Sequence, residues 1–165
     1  MRKLTGIALT LTTALGLGAV ALQMARAEDA PAQATYNDIQ QTLGSVPSFF
    51  KAFPESGIAG AWAEFKSVQL NPKTSLDNKT KELIGLAVAA QIPCQYCIYF
   101  HTAVAKANGA TDAEIREAVA MAAIARHWST VLNGMQVDLA GFKRETDTVL
   151  KAAADKAKTT NAKAQ

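Results

Sequence analysis

The residues whose types and spacing could do chemistry are Cys94-Gln95-Tyr96-Cys97 and, four positions on, His101. On a helix, residues three and four apart share a face, so Cys94, Cys97 and His101 line one stripe. If Pro93 opens that helix, both cysteines sit in its first turn. There the unpaired N–H groups and the positive end of the dipole favour thiolate over thiol, and the thiolate is the nucleophile. His101, one turn beyond Cys97, places an imidazole where it could exchange protons with the sulfur. Glu82 lies at the entry of an otherwise apolar helix. A carboxylate beside the imidazole would hold the ring in orientation, but spacing alone does not bring the two helices together.

The same residues admit other uses. A structural disulfide across four residues gains roughly 2 kcal/mol in the chain-entropy model, against about 4.7 for a hundred-residue loop. That is weak use of the chain's only two cysteines. Zinc could take Cys94, Cys97 and His101, but a structural site wants a fourth ligand and there is no second CxxC or HxxxH pair. A c-type haem needs histidine directly after the second cysteine, where Ile98 stands. No cofactor is implied.

The elements that must position these residues read as all-α. Ile58, Ala61, Trp62, Phe65 and Val68 repeat at helical spacing, and Asn71-Pro72 ends that run. Ser75 can cap a helix through Lys81, Glu82 and Leu83 to about Gln91, with the uncharged stretch Ile84 to Ala90 expected to be buried. The CxxC helix should end near Asn108, with Gly109 as a left-handed stop. Thr111-Asp112-Ala113-Glu114 is a capping box opening a helix that carries Ile115, Val119, Ala122 and Ile124 inward. A last segment is expected from about Trp128 toward Ala157. Phe49, Phe50, Phe53 and Trp62 read as core or subunit contacts, Tyr96 and Tyr99 as packing near the site, and His127 as a cap or surface residue. No alternating strand pattern and no repeat is present.

Residues 1–27 have the character of a cleaved signal peptide. Arg2 and Lys3 precede the uncharged run Gly6 to Leu22, and Ala25-Arg26-Ala27 supplies the small-x-small pattern of a cleavage site. Residues 28–35, rich in Ala, Pro and Gln, are expected to form a flexible lead. The domain proper is expected over 36–158, and 159–165 as a disordered tail. The whole chain of 165 residues has 17 basic and 14 acidic side chains, a formal charge of +3. Removing Arg2, Lys3 and Arg26 leaves 14 basic against 14 acidic. A neutral mature chain offers no basic face to a nucleic acid, and no membrane association is expected after cleavage. The expected location is periplasmic or secreted. The remaining ~138 residues can bury an ordinary core without staples.

Glu82, Cys94, Cys97 and His101 together reproduce the E-x11-C-x2-C-x3-H signature of the AhpD-like alkylhydroperoxidases, in the carboxymuconolactone decarboxylase superfamily. The run from Leu76-Asp77 to Ala123, including Lys81-Glu82-Leu83-Ile84 and Asn108-Gly109-Ala110-Thr111, resembles that family too. Val46-Pro47 to Leu70 resembles its peroxidase-related branch. The resemblance implies an all-α bundle in which a CxxC-bearing helical hairpin buries the site, commonly in trimers or hexamers. It also implies thiol-dependent reduction of hydrogen or organic peroxides. Cys97 would attack the O–O bond, Cys94 would donate a proton and then resolve the sulfenic acid to a disulfide, and Glu82 with His101 would form the relay. The best-known members carry histidine directly before the second cysteine; Tyr96 stands there in this chain and implies a shorter relay. Turnover would need a thioredoxin-like or other thiol reductant. The alternatives are an exported thiol–disulfide oxidoreductase, a decarboxylase-type enzyme of the same superfamily (whose members generally lack the cysteine pair), and a non-catalytic subunit with an inert bridge.

Overall fold

The computed structural model describes residues 31–163, and among them every regular element is helical. The signal segment, residues 1–27, lies outside the described residues. The chain divides into two units, one ending at Asp77 and the other beginning at Asn78.

In the first unit, α1 covers residues 31–43. Residues 31–35, expected as a flexible lead, are therefore helical. Proline is tolerated in a first turn, alanine and glutamine are good helix formers, and Ala32 joins the buried cluster, so packing decides what composition left open. Gly44, at φ +78°, terminates α1 and returns its N–H to the Gln40 carbonyl at 2.9 Å. A 3-10 turn, Ser48–Ala52, follows Pro47, and α2, Glu55–Glu64, follows Pro54. Ala32, Ile39, Phe50, Ile58 and Trp62 form the buried cluster, with Tyr36, Val46, Phe65 and Leu70 packed against it. Phe49 and Phe53 are exposed. The Trp62 indole N–H donates to Asp38 Oδ2 at 2.6 Å, and Lys66 Nζ meets Asp38 Oδ1 at 2.8 Å. These two donors, Lys66 first, hold the Asp38 carboxyl below its ordinary value.

α2 runs on into a π turn, Phe65–Gln69, closed by the Leu70 N–H on the Phe65 carbonyl at 3.2 Å. The wider turn rotates the register, so Val68 leaves the face that Ile58 and Trp62 share and is 58% exposed. The inward position expected for Val68 is corrected on that account.

The second unit holds α3, Asn78–Gln91; α4, Gln95–Ala107; α5, Asp112–Gly134; and α6, Leu139–Lys163. α3 packs against both α4 and α5. Lys79 Nζ reaches Glu114 Oε1 at 2.7 Å and ties the start of α3 to the start of α5. Gln91 Nε2 donates to the Ala122 carbonyl at 2.6 Å and fixes the far end of α3 along α5. The capping box is present in full: the Glu114 N–H donates to the Thr111 hydroxyl and the Thr111 N–H to Glu114 Oε2. Gly109, at φ +84°, ends α4, with the Ala110 N–H on the Ala105 carbonyl.

Several expected details shift. α3 begins at Asn78 and not just after Ser75. Its inward face is Glu82, Leu86 and Ala89, while Ile84, Val88 and Ile92 form an exposed stripe on the other side. A charge-free run thus marks two apolar faces, only one of them covered. On α5, Ala122 is buried but Val119 and Ile124 are exposed. Trp128 and His127 lie within α5, because the break comes at Met135 to Asp138. α6 continues to Lys163, so the start of the expected tail at 159 is helical, an extension of the alanine- and lysine-rich run from Lys151 to Lys158. Among the described residues, no helix is long and apolar enough to cross a membrane.

Candidate active site

α4 starts two residues after Pro93, at Gln95. Cys94, with extended backbone, is the N-cap, and Cys97 is the third helical residue. Cys94 therefore takes the position that serine, threonine or aspartate usually fill, where a side-chain acceptor satisfies an unpaired helical N–H. Its Sγ accepts the Cys97 backbone N–H at 3.2 Å. The two sulfurs are joined as a disulfide, with Cα atoms 5.3 Å apart. Both cysteines are half-buried, while Tyr96 between them is 89% exposed. Tyr99 is exposed as well, so neither tyrosine packs into the site's interior.

One turn beyond Cys97, His101 points back at α3. Its Nδ1 lies 2.6 Å from Glu82 Oε2, and the histidine side chain is 19% exposed and the glutamate side chain 3%. Sequence spacing alone left this meeting open; the α3–α4 packing makes it. Glu82 stands one turn before Leu86 on the buried face of α3, so helix pairing carries the carboxylate inward with the leucine. A buried carboxylate is costly unless hydrogen-bonded, and the imidazole supplies such a bond.

All four residues singled out by spacing thus belong to one stretch of the α3–α4 hairpin: Glu82 on α3, and Cys94, Cys97 and His101 at the start of α4. With both sulfurs in the disulfide, no group of three His, Cys, Asp or Glu side chains converges as a metal site among the described residues.

Gly85 is the neighbour that the sequence reading passed over. A Cβ built there would stand 2.5 Å from His101 Nδ1 and 2.8 Å from Nε2, far inside van der Waals contact. The signal was available: a glycine inside an alanine- and leucine-rich helix costs stability and marks a close approach.

Such an arrangement can perform dithiol–disulfide chemistry. The helix start provides backbone N–H groups for a sulfur anion, and a hydrogen-bonded histidine one turn away can manage a proton.

Residues 57–139 match the model of the carboxymuconolactone decarboxylase family. A relative from Paracoccus denitrificans, "Uncharacterized protein 4 in cox locus", is 36% identical over 83 residues, which are 48% of this chain and 75% of that protein. Among solved structures, the alkylhydroperoxidase AhpD core from Rhodospirillum rubrum is similar at 31% identity and a TM-score of 0.58. That match covers 66% of this chain and 82% of the other.

Proposed function

The chain belongs to the carboxymuconolactone decarboxylase family, with an AhpD-like fold, and on that premise we propose that it is a thiol-dependent peroxidase working through Cys94 and Cys97. The observation that carries the reading is the disulfide-linked pair at the start of α4 with the His101–Glu82 couple one turn further on. In the reduced protein the Cys97 thiolate attacks the distal peroxide oxygen. The O–O bond breaks, Cys97 becomes the sulfenic acid, and the leaving alkoxide or hydroxide takes a proton from the relay as alcohol or water. The Cys94 thiolate then attacks the Cys97 sulfur; the S–S bond forms, the S–O bond breaks, and the hydroxide leaves as water with a proton returned by the relay. Two electrons and two protons from a dithiol donor, by this reading a thioredoxin-like protein, restore the pair. Residues 1–27 support the further proposal that this happens outside the cytoplasm.

The test is peroxide consumption by the reduced protein, with hydrogen peroxide and cumene hydroperoxide as substrates. Cys97→Ser should be inactive. Cys94→Ser should accumulate a sulfenic acid that a dimedone-type reagent traps. Full activity in Cys97→Ser would remove the assigned roles.

One observation favours a second reading, thiol–disulfide exchange with a protein partner. It is the Cys94 sulfur, not that of Cys97, that accepts the helical N–H, and a thiolate at an N-cap is well placed to attack another disulfide. Reduction of insulin disulfides faster than any peroxide would select this reading over the first.

A further inference from the structure

We infer that Gly85 is a positioning residue for His101: its missing side chain is the space that the imidazole edge fills while Nδ1 holds the Glu82 carboxylate. The inference rests on the proposed peroxidase only in its activity arm. The Nδ1, Cε1 and Nε2 atoms of His101 all crowd the point where a Gly85 Cβ would stand. The ring cannot withdraw cheaply, because Nδ1 is held at 2.6 Å by a carboxylate that is itself buried. Backbone conformation does not ask for glycine here, since Gly85 lies inside α3 without a positive φ. Helical glycines differ in this respect: a Cβ at Gly60 or Gly134 would meet nothing within 4 Å, and one at Gly57 would meet the ring edge of Phe53, which no buried carboxylate holds in place as Glu82 holds His101. Glu82 and Gly85, three residues apart on one face, therefore act as a pair. The acid fixes one ring nitrogen, and the bare backbone lets the ring lie flat enough to reach it.

The role belongs to geometry, and its test reads geometry directly. His101 and His127 are the chain's only histidines, so the imidazole nitrogens of the 15N-labelled full chain give two sets of signals, assigned with His101→Asn. In the wild type, His101 should show a protonated Nδ1 whose proton exchanges slowly. Gly85→Ala should lose that signature and lower peroxide turnover roughly tenfold or more, as misplaced proton-transfer groups do. Gly134→Ala should change neither. A double-mutant cycle separates a reserved space from general disturbance. Gly85→Ala should lower the thermal midpoint of the wild type, yet raise it in a His101→Ala background, where the methyl has room and alanine is the better helix former. An unchanged His101 signature in Gly85→Ala, or a lowered midpoint in both backgrounds, overturns the inference. A wild type without peroxide turnover would remove the proposed function and leave the spectroscopic and thermal arms to decide on Gly85.

Discussion

Glu82 Oε2 and His101 Nδ1 meet at 2.6 Å across the α3–α4 packing, the acid almost wholly enclosed and the imidazole partly open. With the carboxylate ionised, and so only an acceptor, the bond calls for the ring N–H at Nδ1 and leaves Nε2 outside the pair. Ring orientation is thus tied to one contact between two packed helices, with Leu86 and Ala89 buried on the same face of α3 as the acid.

Substituting Glu82 should accordingly separate charge from hydrogen bonding. Glu82→Gln keeps an acceptor for Nδ1 and should fold, while peroxide turnover falls because the imidazole loses its carboxylate. Glu82→Ala removes the acceptor and leaves a partly buried N–H unpaired, a loss of about 1–3 kcal/mol. Urea denaturation of the two variants, beside turnover, checks both statements. Equal stability of Glu82→Ala and wild type would mean that the pair does not hold the hairpin.

Cys94 should show its capping role once the disulfide is removed. In a Cys97→Ser background no bridge can form, and position 94 contributes to stability only through its acceptor on the residue 97 N–H. Replacing Cys94 by serine there should preserve the cap, whereas alanine should cost about 1 kcal/mol. Chemical denaturation of the two proteins measures the difference. Identical midpoints would show that the sulfur position matters for redox chemistry alone.

The site was more legible in the sequence than the packing around it. Spacing placed Cys94, Cys97 and His101 on one helical stripe because that follows from 3.6 residues per turn, which local sequence controls. The Thr111–Glu114 capping box was legible for the same reason. The partnership of Glu82 with His101 rested on resemblance, since it depends on two helices meeting. Val68, Ile84 and Val88 were misjudged because apolar character does not say which face is covered, and the π turn shifts the register without a sequence signal. Residues 31–35 went wrong in the opposite direction: a composition rich in Ala, Pro and Gln hid a helix whose Ala32 is buried.

In the first unit, Trp62 should be the most sensitive position. Its side chain is buried in the cluster, stacks on Phe65 with ring centroids 5.9 Å apart, and donates to Asp38. Trp62→Phe keeps most of the apolar contact but loses the hydrogen bond to a charged acceptor, about 1.5–3 kcal/mol at most, reduced by the exposure of Asp38. Trp62→Ala adds a cavity and should cost roughly 3–5 kcal/mol. Thermal unfolding followed by far-ultraviolet circular dichroism measures both. A cost for Trp62→Phe as large as for Trp62→Ala would mean that the indole N–H, and not packing, dominates.

Acid should loosen the second unit through Glu114. The Lys79 ammonium first, then the Thr111 backbone N–H and hydroxyl, hold its carboxyl at about 2, well below the ordinary 4.5. The folded state therefore binds this proton less readily than the unfolded chain. The resulting stability is fully present above the unfolded value and disappears as pH falls through the folded one. Glu114→Gln retains a capping-box side chain but cannot pair electrostatically with Lys79. The stability gap between wild type and Glu114→Gln should be largest near neutrality and should close between pH ~5 and ~2. Asp38 and Asp112 are also held low, by Lys66 with Trp62 and by Lys106, but they titrate alike in both proteins and cancel from the difference. Raising the salt concentration should narrow the neutral-pH gap, because this pair is partly open to solvent. A gap that stays constant from neutrality to pH ~2 would show that Glu114 acts through its cap alone, with no contribution from its charge.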